Sequence, residues 1–302
     1  MSKKVLLFIN IYKTGAQVLA DEINGELTKQ GFLIDTLSLE SENLKVDDSA
    51  LDLYDLAFSL GGDGTVLFAA RALARFGTPI FPIHLGTLGF IASVLPEQWA
   101  DTFKQWQAGK VGLSRRLMLE VRVERADKVV ALGTCLNDIV ISASGIAKLI
   151  RLKVEVSASL GLGEYRSDGL IVATPTGSTA YSMSAGGPIL DPEMDALIIN
   201  PICPFSLSSR PLVVPAGETI VIRVESRPRS GVLLTLDGQV TQGLEPNDRI
   251  YVKQAPYRAT FIASDRSVFY EALRAKLSWS GSAGSAGFAG SDDKADDGDD
   301  HA

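Results

Sequence analysis

The sequence predicts an α/β domain built on a parallel sheet, followed by a mostly β domain. Strand patterns and helical patterns alternate through the first third of the chain, which is the order that produces parallel strands. The chain then changes to short runs rich in Val, Ile and Leu with few helical patterns, which indicates a domain of the β-sandwich type. One helical pattern returns near the end.

In the α/β domain, residues 1–112, short apolar runs predict the strands and apolar residues at helical spacing predict the helices. The predicted strands cover residues 5–9, 32–37, 56–60 and 80–84. The predicted helices cover residues 16–30, 65–75 and 96–108.

The β-rich domain, residues 113–263, is predicted from apolar runs of strand length. These runs include residues 119–123, 139–142, 152–156, 171–173, 220–224, 232–236 and 250–252. Residues 264–278 regain helical spacing, so we expect a helix that packs back on a domain surface. Residues 279–302 are rich in Gly, Ser, Ala and Asp, bury too little apolar surface to offset ordering, and are predicted to be disordered.

The composition indicates an ordinary globular protein with room for two cores. Of the 302 residues, 46% are hydrophobic and 22% are charged. The net charge of −7 comes mostly from the tail, where six aspartates stand against Lys294 and contribute −5, which leaves −2 elsewhere. This near balance argues against a nucleic-acid-binding surface.

The cysteines and the apolar segments bear on the compartment. Cys135 and Cys203 are far apart and belong to no C-x-x-C or Cys/His cluster, so we expect free thiols in a reducing compartment and no structural zinc. The start of the chain enters a short strand instead of an apolar segment with a cleavage site, and no apolar stretch reaches membrane-spanning length. We therefore expect a cytoplasmic protein that does not bind membranes.

The most informative motif is the glycine-rich turn Gly61-Gly62-Asp63-Gly64-Thr65, between a predicted strand and a predicted helix. Glycines let backbone N–H groups converge on an anion, and the helix N-terminus adds a positive end, so the turn suits phosphate. A carboxylate at this place indicates chemistry, a metal or substrate hydroxyls. The alternative is a plain strand-to-helix turn in which Asp63 caps Val66 or Leu67.

A second polar block covers residues 165–190 and includes the predicted strand at its start. Its Ser and Thr hydroxyls can hydrogen-bond a base or sugar, and Tyr181 offers a ring for stacking. The block lacks Lys, which favours base and ribose recognition and places the phosphates nearer residues 61–65. A plain loop is the alternative, although loops of this length usually carry function.

Two shorter motifs fit turns as well as ligand contacts. Asn137-Asp138 offers an amide for base edges and a carboxylate for two ribose hydroxyls, yet it is also a turn signal. Leu236-Asp237-Gly238-Gln239 fits a tight hairpin better than a catalytic role, and Gln239 remains able to reach a ligand.

Residues 84–90 follow a predicted strand at the edge where open α/β sheets bind ligands. The run Leu85-Gly86-Thr87-Leu88-Gly89-Phe90 is read either as part of a site or as a tight connection. His84 is interpreted as a structural histidine with satisfied hydrogen bonds.

Several classes of enzyme are excluded by missing motifs. The chain has no G-x-x-x-x-G-K-[ST], and Gly161-Leu162-Gly163 lacks the third glycine of a dinucleotide fingerprint. It has no G-x-S-x-G, and its histidines are His84 and His301, so a Ser-His hydrolase is not expected.

Together these motifs resemble the NAD kinase family, and their order and spacing match it from Val5 to Leu277. The resemblance rests on Gly61-Gly62-Asp63-Gly64-Thr65, residues 85–90, Asn137-Asp138, Arg166-Ser167-Asp168-Gly169 and residues 174–188. The first motif is shared with diacylglycerol kinase, sphingosine kinase and phosphofructokinase relatives. The block at 174–188 is far more specific.

The resemblance implies an α/β domain of Rossmann-like or phosphofructokinase-like type, a β-rich domain, and a last helix that returns to the first domain. It implies a homodimer or homotetramer whose active site lies between the domains and is completed by a neighbouring subunit. The implied reaction transfers the γ-phosphoryl group of ATP, or of polyphosphate in some members, to the 2′-hydroxyl of the adenosine ribose of NAD. Mg²⁺ is expected with the phosphates, and because it takes few protein ligands no metal cage is expected.

The same resemblance assigns the site residues. Asp63 is the implied proton acceptor, and the phosphates are expected at Gly61, Gly62, Gly64 and Thr65. The implied NAD-binding residues are Asp63, Gly64, Asn137, Asp138, Lys148, Arg166, Asp168, Thr179, Ala180, Tyr181, Ser182, Met183, Ser184, Ala185 and Gln239.

The chain also departs from the family pattern. Asp138 stands where many members carry Glu, Lys148 is at a variable position, and residues 142–147 differ from common forms. A lipid or sugar kinase with the same glycine-rich turn, and a non-catalytic dinucleotide-binding regulator, are the alternative functions.

Overall fold

The computed structural model describes residues 3–39, 48–86, 89–92, 94–145, 148–157, 160–225 and 231–277. The α-helices are α1 (Ala16–Lys29), α2 (Asp63–Leu73), α3 (Trp99–Gln107), α4 (Tyr181–Ser184) and α5 (Arg266–Leu277). Short 3₁₀ turns cover Asp48–Leu53, Ala74–Phe76, Pro96–Gln98 and Thr176–Thr179. The predicted disordered tail lies outside the described residues.

The strands fall in both halves of the chain. Those of the first half are β1 (Lys4–Asn10), β2 (Leu33–Leu39), β3 (Leu56–Gly61), β4 (Ile80–His84), β5 (Leu113–Arg125), β6 (Lys128–Cys135) and β7 (Asp138–Ala143). Those of the second half are β8 (Ile150–Val156), β9 (Leu160–Ser167), β10 (Gly169–Ala173), β11 (Ala196–Ile202), β12 (Leu212–Pro215), β13 (Ile220–Val224), β14 (Val232–Leu236), β15 (Val240–Leu244) and β16 (Arg249–Ile262).

The α/β domain is a parallel sheet in the order β2-β1-β3-β4 with helices on both faces. Alternate residues of β1 enter different cores: Leu7 packs in one cluster with residues of α1 and α3, and Phe8 packs in another with residues of α2. Because parallel strands share direction, the carboxyl ends of β1, β3 and β4 meet at one edge of the sheet. Asn10, Gly61 and His84 end these strands.

The β-rich domain, which begins with β5, is a sandwich of antiparallel strands. One sheet has the order β12-β11-β10-β7-β14-β15, and the other contains β16, β13, β8 and β9 with β5 and β6 attached. Their inner faces share one apolar cluster, to which Val121, Ile141, Val154 and Leu234 belong. The predicted fold class, an α/β domain followed by a β-rich domain, is confirmed.

β16 is longer than the predicted strand at residues 250–252, and it joins the two domains. It pairs in parallel with β4 at Phe261 and Ile80, and antiparallel with β13 and β5. Charged residues on its outer side and a shift of register between Gln254 and Arg258 interrupt the apolar pattern, which is why the sequence shows only part of the strand. None of the helices in the described ranges combines the length and the apolar character needed to cross a membrane.

Candidate active site

The glycine-rich turn lies where β3 ends and α2 begins. Gly62 is extended, with φ −116° and ψ −168°, and is the N-cap of a helix that starts at Asp63, earlier than the predicted start at residue 65. A Cβ on Gly61 would lie 2.1 Å from the Thr65 hydroxyl, so the turn closes only with glycine at this position. The turn therefore presents backbone N–H groups at the ligand edge of the sheet.

The Asp63 carboxylate is held by a neighbouring segment of backbone. It accepts hydrogen bonds from the N–H groups of Phe90 at 3.1 Å, Ala92 at 3.2 Å and Ile91 at 3.4 Å. It does not cap Val66 or Leu67 in the described structure, so the plain-turn alternative is wrong for this side chain. Gly89 is required beside it, since a Cβ there would lie 2.1 Å from Asp63 Oδ1.

A cleft of about 560 Å³ opens in front of the turn. Its lining comes from the ends of β1, β2 and β3, from α2 and from the β-rich domain: Asn10, Tyr12, Lys13, Leu39, Gly62, Asp63, Gly64, Thr65, Phe68 and Gln239. Lys13 adds a cation to a wall of backbone N–H groups, which suits phosphate oxygens. Sequence reasoning missed Asn10 and Lys13, although both follow a predicted strand at the edge where such sheets bind ligands.

His84 lies at the end of β4 beneath the turn and is 6% exposed. Its imidazole is 3.8 Å from the place a Cβ on Gly62 would take. Burial lowers the pKa of His84 and the charge of Asp63 opposes that shift, so the neutral ring is favoured. Its Nδ1 has no hydrogen-bond partner among the described residues, so the prediction of fully satisfied hydrogen bonds is wrong.

Asn137 lies between β6 and β7, Asp138 is the first residue of β7, and both face the polar block. The Asn137 carbonyl accepts from the Thr174 N–H at 2.8 Å, and a Cβ on Gly177 would lie 2.1 Å from that carbonyl. Asn137 Oδ1 is buried without a partner among the described residues, which leaves an acceptor for a ligand. Burial, and then the charge of Asp237, raise the pKa of Asp138 to about 7.

Asp237 forms the predicted hairpin turn between β14 and β15, and it also anchors the segment opposite. Asp237 and Gly238 have φ values of 50° and 69°, as a tight hairpin requires. The Asp237 carboxylate accepts from the N–H groups of Asn137 at 2.7 Å, Leu136 at 3.1 Å and Asp138 at 3.4 Å. Arg71 of α2 donates to it as well, at 3.0 Å. No sequence pattern singles out Arg71.

The polar block uses many of its hydroxyls to hold its own backbone. Thr174 donates to the Leu136 carbonyl at 2.6 Å, Ser178 to the Pro175 carbonyl at 2.6 Å, and Thr179 to the Thr176 carbonyl at 3.3 Å. Ser182 is fully buried and accepts from Asn200 Nδ2 at 3.3 Å. These hydroxyls shape the loop, whereas the Tyr181 side chain is 47% exposed and open to a ligand.

The remaining predicted residues lie in two places. Met183 and Ser184 lie in α4, Ala180 and Ala185 flank it, and all four are partly or fully exposed. Arg166, Asp168 and Lys148 lie at strand ends of the β-rich domain and, among the described residues, do not line the cleft at Asp63. The Arg166 guanidinium lies 4.9 Å from the ring centre of Phe205.

The fold and the site together define the class of the protein, a phosphotransferase. Its α/β domain and its β-rich domain meet at the glycine-rich turn that carries Asp63. Two family descriptions match: ATP-NAD kinase N-terminal domain over residues 4–111, and ATP-NAD kinase C-terminal domain over residues 136–264. The chain belongs to the NAD kinase family, and its activity is that of an NAD kinase.

Individual relatives agree with this assignment. An NAD kinase of Treponema denticola is 41% identical over 281 residues, covering 93% of this chain and 98% of that protein. One of Carboxydothermus hydrogenoformans is 45% identical over 230 residues, covering 76% and 81%. The resemblance seen in the motifs is thus confirmed.

Solved structures agree as well. Yeast NADH kinase complexed with NADH superposes with a TM-score of 0.82 at 25% identity, covering 93% of this chain and 89% of that one. An NAD kinase from Archaeoglobus fulgidus in complex with ATP gives a TM-score of 0.71 at 25% identity, covering 91% and 98%.

Proposed function

We propose that this NAD kinase transfers the γ-phosphoryl group of ATP to the 2′-hydroxyl of the adenosine ribose of NAD, with Asp63 as proton acceptor. The observation that carries the proposal is the Asp63 carboxylate, fixed by three backbone N–H groups at the rim of a cleft suited to phosphate. The relatives described as binding NADH and ATP support the choice of ligands.

In this reaction the 2′-oxygen attacks the γ-phosphorus, the bond to the bridging oxygen breaks, and ADP leaves. The hydroxyl proton passes to Asp63, which has lone pairs left after accepting the backbone bonds. Such transfers need in-line positioning and charge stabilisation more than a strong base. The N–H groups at residues 62–64 and Lys13 supply that stabilisation, since the Thr65 N–H already donates to the Gly62 carbonyl.

The acceptor is held by the β-rich domain. Asp138 accepts hydrogen bonds from ribose hydroxyls, Asn137 offers its unpartnered Oδ1 to the base, and Tyr181 stacks on a ring. The other implied NAD-binding residues extend this surface along the dinucleotide.

The residues at the cleft fit a metal carried by the phosphates. Backbone N–H groups and Lys13 suit phosphate oxygens, Asp63 is a carboxylate at the rim, and the described residues contain no group of three His, Cys, Asp or Glu that would form a cage. Mg²⁺ usually keeps several waters and takes few protein ligands, so we propose that Mg²⁺ would be held mainly by the donor phosphates, with Asp63 as the carboxylate that this cleft offers. It would supply neutralisation of charge between the β- and γ-phosphates.

We further propose a cytoplasmic homodimer or homotetramer. The family resemblance supports the assembly, and the free thiols of buried Cys135 and exposed Cys203 suit a reducing compartment.

The test follows NADP formation with an NADP-specific dehydrogenase after incubation with ATP, Mg²⁺ and NAD. We expect NADP from the wild type, and a loss of kcat of at least about 1,000-fold in Asp63→Asn with dinucleotide affinity changed much less. An equal loss of both would make Asp63 a binding residue only.

The same assay separates the alternatives. Polyphosphate in place of ATP, and NADH in place of NAD, define the donor and the acceptor. Phosphorylation of sphingosine or diacylglycerol without NADP would instead identify a lipid kinase. NAD binding without product from any donor would identify a regulator.

A further inference from the structure

Arg71 connects the catalytic turn with the segment that faces the acceptor. Arg71 lies on α2, and its guanidinium donates through Nη1 to Asp237 at 3.0 Å and through Nη2 to Gln239 Oε1 at 2.5 Å. The Arg71 side chain is 12% exposed and that of Asp237 is fully buried. One planar fork thus contacts two partners on the same hairpin, which a lysine ammonium does not reproduce.

Gln239 links Arg71 to the glycine-rich turn. Its Nε2 donates to the Gly64 carbonyl at 2.9 Å while its Oε1 accepts from Arg71. Gly64 and Arg71 are seven residues apart, so they lie on one face of α2, about 10 Å apart along its axis. Gln239 therefore bridges two successive points of the same helix face.

Asp237 links Arg71 to residues 136–138, which we call the acceptor segment. Its carboxylate holds the N–H groups of residues 136–138, which present Asn137 and Asp138. The position of Asp237 relative to α2 therefore sets the separation between Asp63, at the start of α2, and the residues proposed to hold the ribose.

We propose that Arg71 is a positioning residue of the phosphoryl transfer, which fixes the distance between the Asp63 turn and the acceptor segment 136–138 through Asp237 and Gln239. The inference rests on the proposed function, because it assumes that Asp63 acts on a hydroxyl held at Asn137 and Asp138. Phosphoryl transfer depends on in-line placement, so an error of about 1 Å at the acceptor costs roughly 100-fold in rate.

The charges agree with this role. Burial raises the pKa of the Asp237 carboxyl, and Arg71 is the largest influence that lowers it. The guanidinium and the backbone N–H bonds favour the ionised form of Asp237 against burial, and removal of Arg71 leaves the Asp237 carboxyl group buried without that cation.

The test compares Arg71→Met and Arg71→Lys with the exposed control Arg75→Met. We expect Arg71→Met to lower kcat about 100-fold and raise KM for NAD, while KM for ATP changes less than about threefold. Arg71→Lys should recover part of the loss, since it keeps a charge without the fork. Arg75→Met should match the wild type. Thermal melts of each variant check that it is folded at the assay temperature.

A double-mutant cycle distinguishes positioning from general destabilisation. If Arg71 and Asp237 act as a unit, Arg71→Met with Asp237→Asn loses about as much kcat as either change alone. Gln239→Leu keeps the ion pair between Arg71 and Asp237. It should lower kcat about tenfold with little change in melting temperature. If Arg71→Met does not fold, Gln239→Leu takes its place in the test.

The outcomes separate this inference from the proposed function. A wild type that makes no NADP contradicts the proposed function. A wild type that makes NADP, with folded Arg71→Met within threefold of its kcat or with additive losses in the cycle, contradicts the role of Arg71 alone.

Discussion

Asp138 shows how a single side chain is tuned by its surroundings. It is 4% exposed, and the described groups that face it are the carboxylate of Asp237, the thiol of Cys135 and, through Asp237, the guanidinium of Arg71. Burial first, and Asp237 second, raise its pKa from 3.8 to about 7. The side chain is therefore partly protonated at neutral pH before a ligand arrives.

This raised pKa predicts the effect of pH on the free enzyme and on binding. Because the folded pKa is the higher one, Asp138 contributes stability that is fully present below pH 3.8 and is lost as pH rises through about 7. Ribose hydroxyls donate to the ionised form, so NAD binding should release protons near pH 7 and tighten as pH rises. Calorimetry in buffers of different ionisation enthalpy measures this release.

Asp138→Asn is the matched control for that measurement. The variant cannot ionise, so its binding of NAD should release fewer protons and depend less on pH. Equal proton release in both proteins would show that Asp138 does not titrate on binding.

At the scale of elements, the segment 89–92 is held between Asp63 and the C-terminal helix. Its N–H groups bond Asp63, while the Ile91 carbonyl accepts from Ser264 Oγ at 3.0 Å. On α5, the Phe269 ring lies 6.2 Å from that of Phe90. The buried guanidinium of Arg116 donates to the Ser264 carbonyl at 2.6 Å and completes the support.

Gly89→Ala should disturb this segment through Asp63. A Cβ at residue 89 would lie 2.1 Å from Asp63 Oδ1, so either the carboxylate or the segment must move. We expect kcat to fall about 100-fold, because the proton acceptor is displaced by an ångström or more. Steady-state kinetics with NAD and ATP check this.

Gly25→Ala provides the comparison. Gly25 lies within α1, and a Cβ there meets nothing within 4 Å. This change should leave kcat unchanged and stabilise the protein by about 0.5–1 kcal/mol, since alanine favours a helix over glycine. A Gly89→Ala enzyme as active as Gly25→Ala would show that the position of Asp63 is not critical.

At the scale of the whole molecule, the two domains are joined by a common strand and by helix contacts. β16 pairs with β4 of the parallel sheet and with β13 and β5 of the sandwich, and α2 contacts both β6 and β16. Arg71 and Asp237 add a buried ion pair across the same boundary. The glycine-rich turn at Asp63 is therefore supported by both domains.

This shared structure predicts that both domains unfold in one cooperative transition. Trp99 and Trp106 of α3 report on the α/β domain, whereas far-UV circular dichroism reports on both domains. In a Trp279→Phe variant, which restricts fluorescence to these two residues, the denaturation midpoints of the two signals should coincide. Two separate midpoints would contradict the prediction.

The fold and part of the site were predictable from local patterns. Apolar runs located the strands of the parallel sheet because buried strands have that signature, and contiguous glycines marked the turn at Asp63. The polar block was predictable from its composition. That the hydroxyls of Thr174, Ser178 and Thr179 donate to backbone carbonyls was not predictable, because a hydroxyl bonds whichever carbonyl the fold places beside it.

The sequence by itself determined the fold class, the place of the glycine-rich turn and the family, because each depends on patterns of neighbouring residues. Only the tertiary structure decided that residues 90–92 hold Asp63, that His84 keeps an unpartnered nitrogen, and that Arg71 meets Asp237, which is 166 positions away. Such contacts depend on which strands and hairpins lie side by side. That is set by the topology of the whole chain, and no local pattern encodes it.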